Sequence, residues 1–198
     1  MTLCLASRSE RRQQLLRQIG VEFCCQAADV DEASQPGEQP AAYVERLAVE
    51  KAQDVAGKPA QAKMAVLAAD TAVVLSNRIF GKPVDREDAR EMLQALSGKS
   101  HQVFTAIAIS ANGKTDTRLS ISEVSVRPLT DALIEQYWQT GEPAGKAGGY
   151  AIQGFAAGFI QCLTGSYSGV MGLPLCETVE LFEQAGVGWA LWHGRINP

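Results

Sequence analysis

The sequence predicts an α/β protein, because short apolar runs that read as strands alternate with amphipathic runs that read as helices, and one long hairpin signal calls for a large sheet. Leu3 to Ala6 is an apolar strand, followed by Ser7, Ser9 and a helix whose Leu15, Leu16 and Ile19 share one face before Gly20 stops it. Val21 to Gln26 reads as a second strand, and the acidic, Gln-, Ser- and Pro-rich stretch from Asp29 to Pro40 as an exposed loop. Pro40 opens a helix that sets Tyr43, Val44, Leu47, Ala48, Lys51 and Ala52 at amphipathic spacing.

Ala65 to Leu75 is apolar and β-branched enough for a buried strand, with Asn77 supplying a turn and Ile79 to Lys82 a return. Asp85 to Leu96 is a helix on the pattern of Ala89, Met92, Leu93 and Leu96, ended by Ser97-Gly98. Val103 to Ser110 and Leu119 to Val126 are strands joined through Ala111-Asn112-Gly113. Thr130 or Asp131 caps a helix running to Gln139, which Gly141 stops. A glycine-rich segment, a strand from Phe159 to Leu163, and a closing helix from Gly172-Leu173-Pro174 to about Ala185 complete the chain's reading.

The 198 residues, 46% hydrophobic and 20% charged, describe a folded globular protein. A net charge of −4 gives no global attraction for nucleic acid or anionic lipid, so any anion site is built locally. No apolar stretch reaches the roughly 20 residues that span a bilayer. Basic residues follow rather than precede the first apolar run, the reverse of a secretory signal, and a cytoplasmic location is expected. Cys4, Cys24, Cys25, Cys162 and Cys176 lack metal-type spacing and read as reduced core thiols.

Three constellations carry chemistry. In Leu5-Ala6-Ser7-Arg8-Ser9-Glu10-Arg11-Arg12 a strand feeds a helix start, whose unpaired N–H groups and positive dipole end suit a phosphate. Ser7 or Ser9 can cap that helix, and Ser7 with Glu10 matches a capping box, which is the purely structural alternative. Arginines there oppose the dipole unless an anion sits among them. Asp70 interrupts an apolar strand, and an unpaired buried carboxylate is costly, so it belongs at a strand end or cleft beside a cation, metal or water; a structural ion pair explains it equally well. Lys51, Lys82 and Lys146 lie near helix or turn boundaries, the last two with glycine neighbours that let backbone approach a polyphosphate; singly, each is a solvated lysine.

Together with Arg46-Leu47-Ala48-Val49-Glu50-Lys51-Ala52, Ala69-Asp70-Thr71, Gly81-Lys82-Pro83, Lys146-Ala147-Gly148-Gly149-Tyr150-Ala151-Ile152-Gln153-Gly154 and Gly172-Leu173-Pro174, these blocks stand in the order found in Maf-type nucleotide pyrophosphatases, which the chain resembles over nearly its whole length. The resemblance is greatest to the dTTP/UTP branch, and it associates Arg11, Thr71 and Gln153 with base choice. It implies one Maf-like domain over residues 1–198, of the Maf/ITPase-like kind: a mixed twisted sheet flanked by helices, two lobes around a central cleft. It also implies a homodimer that cleaves a nucleoside triphosphate to its monophosphate and pyrophosphate with a divalent cation, Mg²⁺ or Mn²⁺.

On that reading Ser7, Arg11, Arg12 and Lys146, with Lys51 and Lys82, hold the triphosphate. Asp70, ionised, activates the attacking water and holds the metal, with Glu32 as a second ligand. Gln153 offers a donor and an acceptor to the amide edge of thymine or uracil. The rival readings are an enzyme for modified or 7-methylated guanine nucleotides and a non-catalytic nucleotide-binding regulator of cell division. Two positions depart from the family pattern. Glu10 stands where proline is usual and has to turn its charge away from a triphosphate, and Arg8 stands where small residues are common. Trp189, Trp192 and His193 in the tail read as apolar packing onto the body or a partner subunit.

Overall fold

The computed structural model describes residues 1–188. The tail tryptophans and His193 lie outside them. β1 (Leu3–Leu5), α1 (Glu10–Gln18), β2 (Phe23–Cys25), α2 (Pro40–Ala56), β3 (Ala65–Leu75), β4 (Arg78–Phe80), α3 (Arg86–Leu96), β5 (Ser100–Ala111), β6 (Lys114–Val126), α4 (Asp131–Gln139), β7 (Ile160–Thr164), α5 (Tyr167–Val170) and α6 (Leu175–Ala185) follow one another, with short 3₁₀ turns at Pro59–Gln61, Ala147–Gly149 and Phe155–Phe159. The fold is mixed α/β, a seven-stranded mixed sheet flanked by helices, as the sequence predicts.

Strand order is β2-β1-β3-β5-β6-β7, with β4 beside β3. β1 runs parallel to both β2 and β3, whereas the β3–β5, β5–β6, β6–β7 and β3–β4 pairs are antiparallel. β3 organises the molecule. Its first residues, Ala65 to Leu67, pair with β1 and its last, Val73 to Leu75, with β4, while its whole length from Val66 to Val74 stays zipped to β5. Between Leu67 and Val73, therefore, β1 and β4 diverge and leave a gap on one side of an unbroken strand. Asp70 and Thr71 sit in that gap.

Strand alternation sends successive side chains to opposite faces. Leu3, Leu5, Leu67 and Ala69 pack with Leu15 and Leu16 of α1 and Leu181 and Phe182 of α6. Cys4, Ala6, Val66 and Ala68 face Val44, Ala48 and Ala52 of α2. Farther along the sheet, Val73, Val103 and Val124 meet Met92 and Leu93 of α3 and Ile134 and Tyr137 of α4. Burying each large aliphatic contributes about 1.5–3 kcal/mol, so the gap is framed by three well-anchored layers.

Several local expectations are resolved or corrected. Ser9 rather than Ser7 caps α1, accepting from the Arg12 N–H at 3.5 Å, while the Ser7 hydroxyl accepts from the Ser9 N–H at 3.1 Å. Thr130 caps α4, and Asp85 caps α3 instead of opening it. The hairpin is longer than predicted, β6 starting at Lys114, because Asn112 and Gly113 with positive φ turn the chain within two residues. The cysteine reading is wrong for four of five: only Cys4 is buried, whereas Cys24, Cys25, Cys162 and Cys176 are exposed. β2 and β7 are the sheet's edge strands, which apolar neighbours in the sequence do not reveal.

Candidate active site

A cleft of about 940 Å³ opens at the gap in β3, and it gathers Ser7, Arg11, Arg12, Glu32, Lys51, Asp70, Thr71, Lys82, Lys146 and Gln153 into one lining. Residues separated by more than 140 positions meet there because β1, α2, β3 and the 146–154 segment converge on the divergence of β1 from β4.

On the α2 face, Asp70 and Lys51 are each 8% exposed, and Lys51 Nζ donates to Asp70 Oδ1 at 2.6 Å. The same nitrogen lies 2.6 Å from Glu32 Oε1, and Lys82 Nζ lies 3.2 Å from Glu32 Oε2. The result is an alternating row, Asp70–Lys51–Glu32–Lys82. Asp70 is in mid-strand rather than at a strand end, but at the cleft, with the cation that its burial demands. Burial works to raise the carboxyl of Glu32, and the hydrogen bond and charge of Lys51, helped by Lys82, overcome it and hold the group below its ordinary value. The loop bearing Glu32 is tied to α2: the Tyr43 hydroxyl donates to the Glu32 carbonyl at 3.0 Å, and Arg46 reaches the Ala33 carbonyl at 3.1 Å and Glu38 at 2.6 Å.

The opposite face belongs to Arg12. Its Nε donates to the Gly172 carbonyl at 2.8 Å, Nη2 to Thr71 Oγ1 at 3.2 Å, and Nη1 to Ser7 Oγ at 3.4 Å. All these partners are neutral. Burial pushes the guanidinium below its ordinary value, opposed chiefly by the more distant charge of Asp70. Thr71 Oγ1 is also 3.0 Å from Thr105 Oγ1, and the Thr105 hydroxyl donates to the Gly169 carbonyl at 2.8 Å. One hydroxyl has one proton. Thr105 spends its own on Gly169, so Thr71 donates to Thr105 and its oxygen is left to accept from Arg12.

Beyond Arg12 the cleft is walled by Arg11, Lys146, Glu142 and the segment around Gln153. Lys146 Nζ donates to the Ala144 carbonyl at 3.1 Å, and both Arg11 and Lys146 are pulled below their ordinary values by burial. Gly148, at φ 66°, lies where a Cβ would be 3.0 Å from the Val73 methyls, so this segment can hug β3 only with glycine there. Glu10, exposed, lines the cleft with Arg8, close enough for its charge to act on Lys146. Behind Tyr150, His101 is buried with Nε2 2.8 Å from the Tyr150 hydroxyl, and burial pushes it down to about 4.

The sequence reading missed Thr105, Tyr137 and Glu142. Thr105 reads as one polar residue in a strand, and nothing in the chain near Glu142 marks it except the Gly154 that it approaches.

A family model described as "Maf-like protein" matches residues 2–185. A dTTP/UTP pyrophosphatase of Pseudoalteromonas atlantica is 50% identical over 186 residues, 92% of this chain and 96% of that protein. One of Aromatoleum aromaticum is 51% identical over 194 residues, 92% of this chain and 94% of that protein. Among solved structures, the Staphylococcus aureus Ham1 protein gives a TM-score of 0.44 at 16% identity, covering 64% of this chain and 72% of that one. A family match over almost every described residue, with relatives at half identity along more than nine-tenths of the chain, means that the chain belongs to the Maf family.

Proposed function

We propose that this protein hydrolyses dTTP and UTP to the monophosphate and pyrophosphate. The observation that carries the reading is a single cleft holding a buried carboxylate in contact with a lysine on one face and a half-buried arginine with only neutral partners on the other. Relatives at half identity are named for that activity.

A triphosphate brings about four negative charges near neutral pH, and attack at phosphorus needs them compensated. Arg12 meets that need directly, since among the described residues no carboxylate within hydrogen-bonding reach competes for its guanidinium. Ser7, Arg11, Lys82 and Lys146 extend the cationic and donor lining along the polyphosphate. Asp70 accepts the proton of a water aimed at the α-phosphorus, and the hydrogen bond from Lys51 fixes its direction. Lys82 and Arg12 then balance the charge that gathers on the departing pyrophosphate. Thr71, with its proton directed to Thr105, holds Arg12 in place. Gln153, exposed at the cleft wall, reads the base.

A divalent cation, Mg²⁺ or Mn²⁺, fits the donor set. Asp70 and Glu32 present hard carboxylate oxygens to one lysine nitrogen, and Mg²⁺ is commonly held by one or two carboxylates plus substrate phosphates. Among the described residues no group of three or more His, Cys, Asp and Glu could hold a metal by itself, so substrate phosphates would have to supply further ligands. When bound, such an ion supplies charge compensation at the phosphoryl oxygens. We take the chain as one domain whose two lobes meet at this cleft, and as a homodimer that light scattering would reveal.

The test is pyrophosphate release from dTTP, UTP and the remaining nucleoside triphosphates, with Mg²⁺ or Mn²⁺, in ¹⁸O-water. The expected result is pyrophosphate from dTTP and UTP ahead of the others, with the label in the monophosphate. Label in the pyrophosphate, or release of orthophosphate, places the attack at another phosphorus and ends the proposal.

A further inference from the structure

The segment from Ala151 to Ala156 bears Gln153 at its centre, and its backbone is gripped on both sides by one carboxylate and its phenol partner. Glu142 Oε2 accepts from the Phe155 N–H at 2.8 Å and Oε1 from the Ala156 N–H at 3.1 Å. The Tyr137 hydroxyl donates to Glu142 Oε1 at 2.8 Å and itself accepts from the Ala151 N–H at 3.3 Å. The 3₁₀ turn Phe155–Phe159 has no side-chain cap of its own, so its first N–H groups depend on Glu142. The fit is close: a Cβ on Gly154 would lie 2.0 Å from Glu142 Oε2 and would push the carboxylate off its backbone partners, with no left-handed φ involved.

Both gripping residues come from the end of α4. Tyr137 is buried in its last turn, and the Glu142 N–H donates to Thr140 Oγ1 at 3.2 Å, whose hydroxyl donates to the Tyr137 carbonyl at 2.7 Å. Burial, with the hydrogen bond and charge of Glu142, pushes the Tyr137 phenol well above its ordinary value, so it remains a donor at every working pH. The Tyr137 ring packs with Ile134 in the core that holds α4 against the sheet, so only its hydroxyl is free to serve the 151–156 segment, and Glu142 takes no part in that core.

We propose that Glu142 and Tyr137 are a positioning pair for base selection: they fix the peptide on either side of Gln153, so that its amide meets the pyrimidine edge at one distance and angle. This rests on the reading of Gln153 as the base reader. Selectivity that comes from hydrogen bonding needs such fixity, because a reader free to move accommodates the wrong edge as well as the right one.

The experiment compares kcat/KM for dTTP with that for a purine triphosphate in Tyr137→Phe, Glu142→Gln, Gln153→Ala and the double variant Tyr137→Phe/Gln153→Ala. Tyr137→Phe keeps volume and leaves the charges of Glu142, Arg11 and Lys146 intact. It removes two hydrogen bonds, and a drop of about tenfold in the dTTP preference is expected. Glu142→Gln, which sets an NH₂ against a backbone N–H, is expected to lose at least as much. In the double variant the ratio should stay at the value of Gln153→Ala alone, because a loosened support has nothing left to support. Equal losses for all nucleotides in Tyr137→Phe, or losses that multiply with those of Gln153→Ala, would reduce the pair to ordinary scaffolding and overturn the proposal. An unchanged ratio in Gln153→Ala instead overturns the assignment of the reader on which the pair depends.

Discussion

Arg12 and Lys51 approach the same strand from opposite faces, and they keep different company. Lys51 donates to two carboxylates at 2.6 Å each, whereas Arg12 spends its fork on a carbonyl and two hydroxyls. Alternation along β3 creates the contrast, since Asp70 points toward α2 and the next residue, Thr71, toward α1. One face therefore holds a carboxylate already paired with its cation, and the other holds a cation whose hydrogen-bonding partners are neutral. A lysine matches the first task as a compact charge between two oxygens, and an arginine the second, because its planar fork can be oriented by neutral acceptors.

The largest effect that separates the faces is expected from Asp70→Asn. Turnover should fall by about 10²–10⁴-fold, the usual contribution of a general base, with nucleotide binding retained by the Arg12 side. Single-turnover kinetics with equilibrium binding checks it, and unchanged turnover would remove Asp70 from the role of base. Next comes Arg12→Lys, which keeps the charge and loses the fork. A fall of about 10- to 100-fold in kcat/KM is expected, because a compact ammonium cannot reproduce the planar fork that spans Gly172, Thr71 and Ser7. Thr105→Val is smaller and sharper. It frees the Thr71 proton and should weaken substrate binding about fivefold through Arg12, while Thr105→Ser restores the wild-type KM.

Acid should disturb only the charged face, which is the smallest effect expected. Glu32 titrates below its ordinary value when folded, so its contribution to stability is complete above the unfolded carboxyl range and is lost as pH falls through the lower folded value. The Arg12 partners do not titrate. Denaturant midpoints measured from pH 6 down to pH 3 should fall less steeply in Glu32→Gln than in the wild type; parallel curves would detach Glu32 from the row.

How far the sequence discloses this arrangement depends on whether a residue breaks a local rule. Asp70 does, as a carboxylate within an apolar β-branched run, and so do arginines at a helix start. The alternation of strands and helices likewise reveals the sheet. Thr105 and Glu142 break nothing where they stand. Their importance comes from partners at Gly169 and at Phe155 and Ala156, reached only after the chain has folded. The cysteines fail for a related reason: Cys24 and Cys25 have apolar neighbours in sequence, but β2 is an edge strand, and the burial of an edge is decided by what lies beside it. Glu32 stands in sequence as one more acidic residue of a loop, and it is the fastening of that loop to α2 by Tyr43 and Arg46 that brings it to Lys51.

The interrupted neighbourhood of β3 also governs access. From Ala68 to Ala72 the strand keeps its ladder to β5 but has neither β1 nor β4 alongside, among the described residues. With alanine at three of the five positions, little but the side chains of Asp70 and Thr71 stands in that opening, so a molecule entering it meets these two before anything else on the strand.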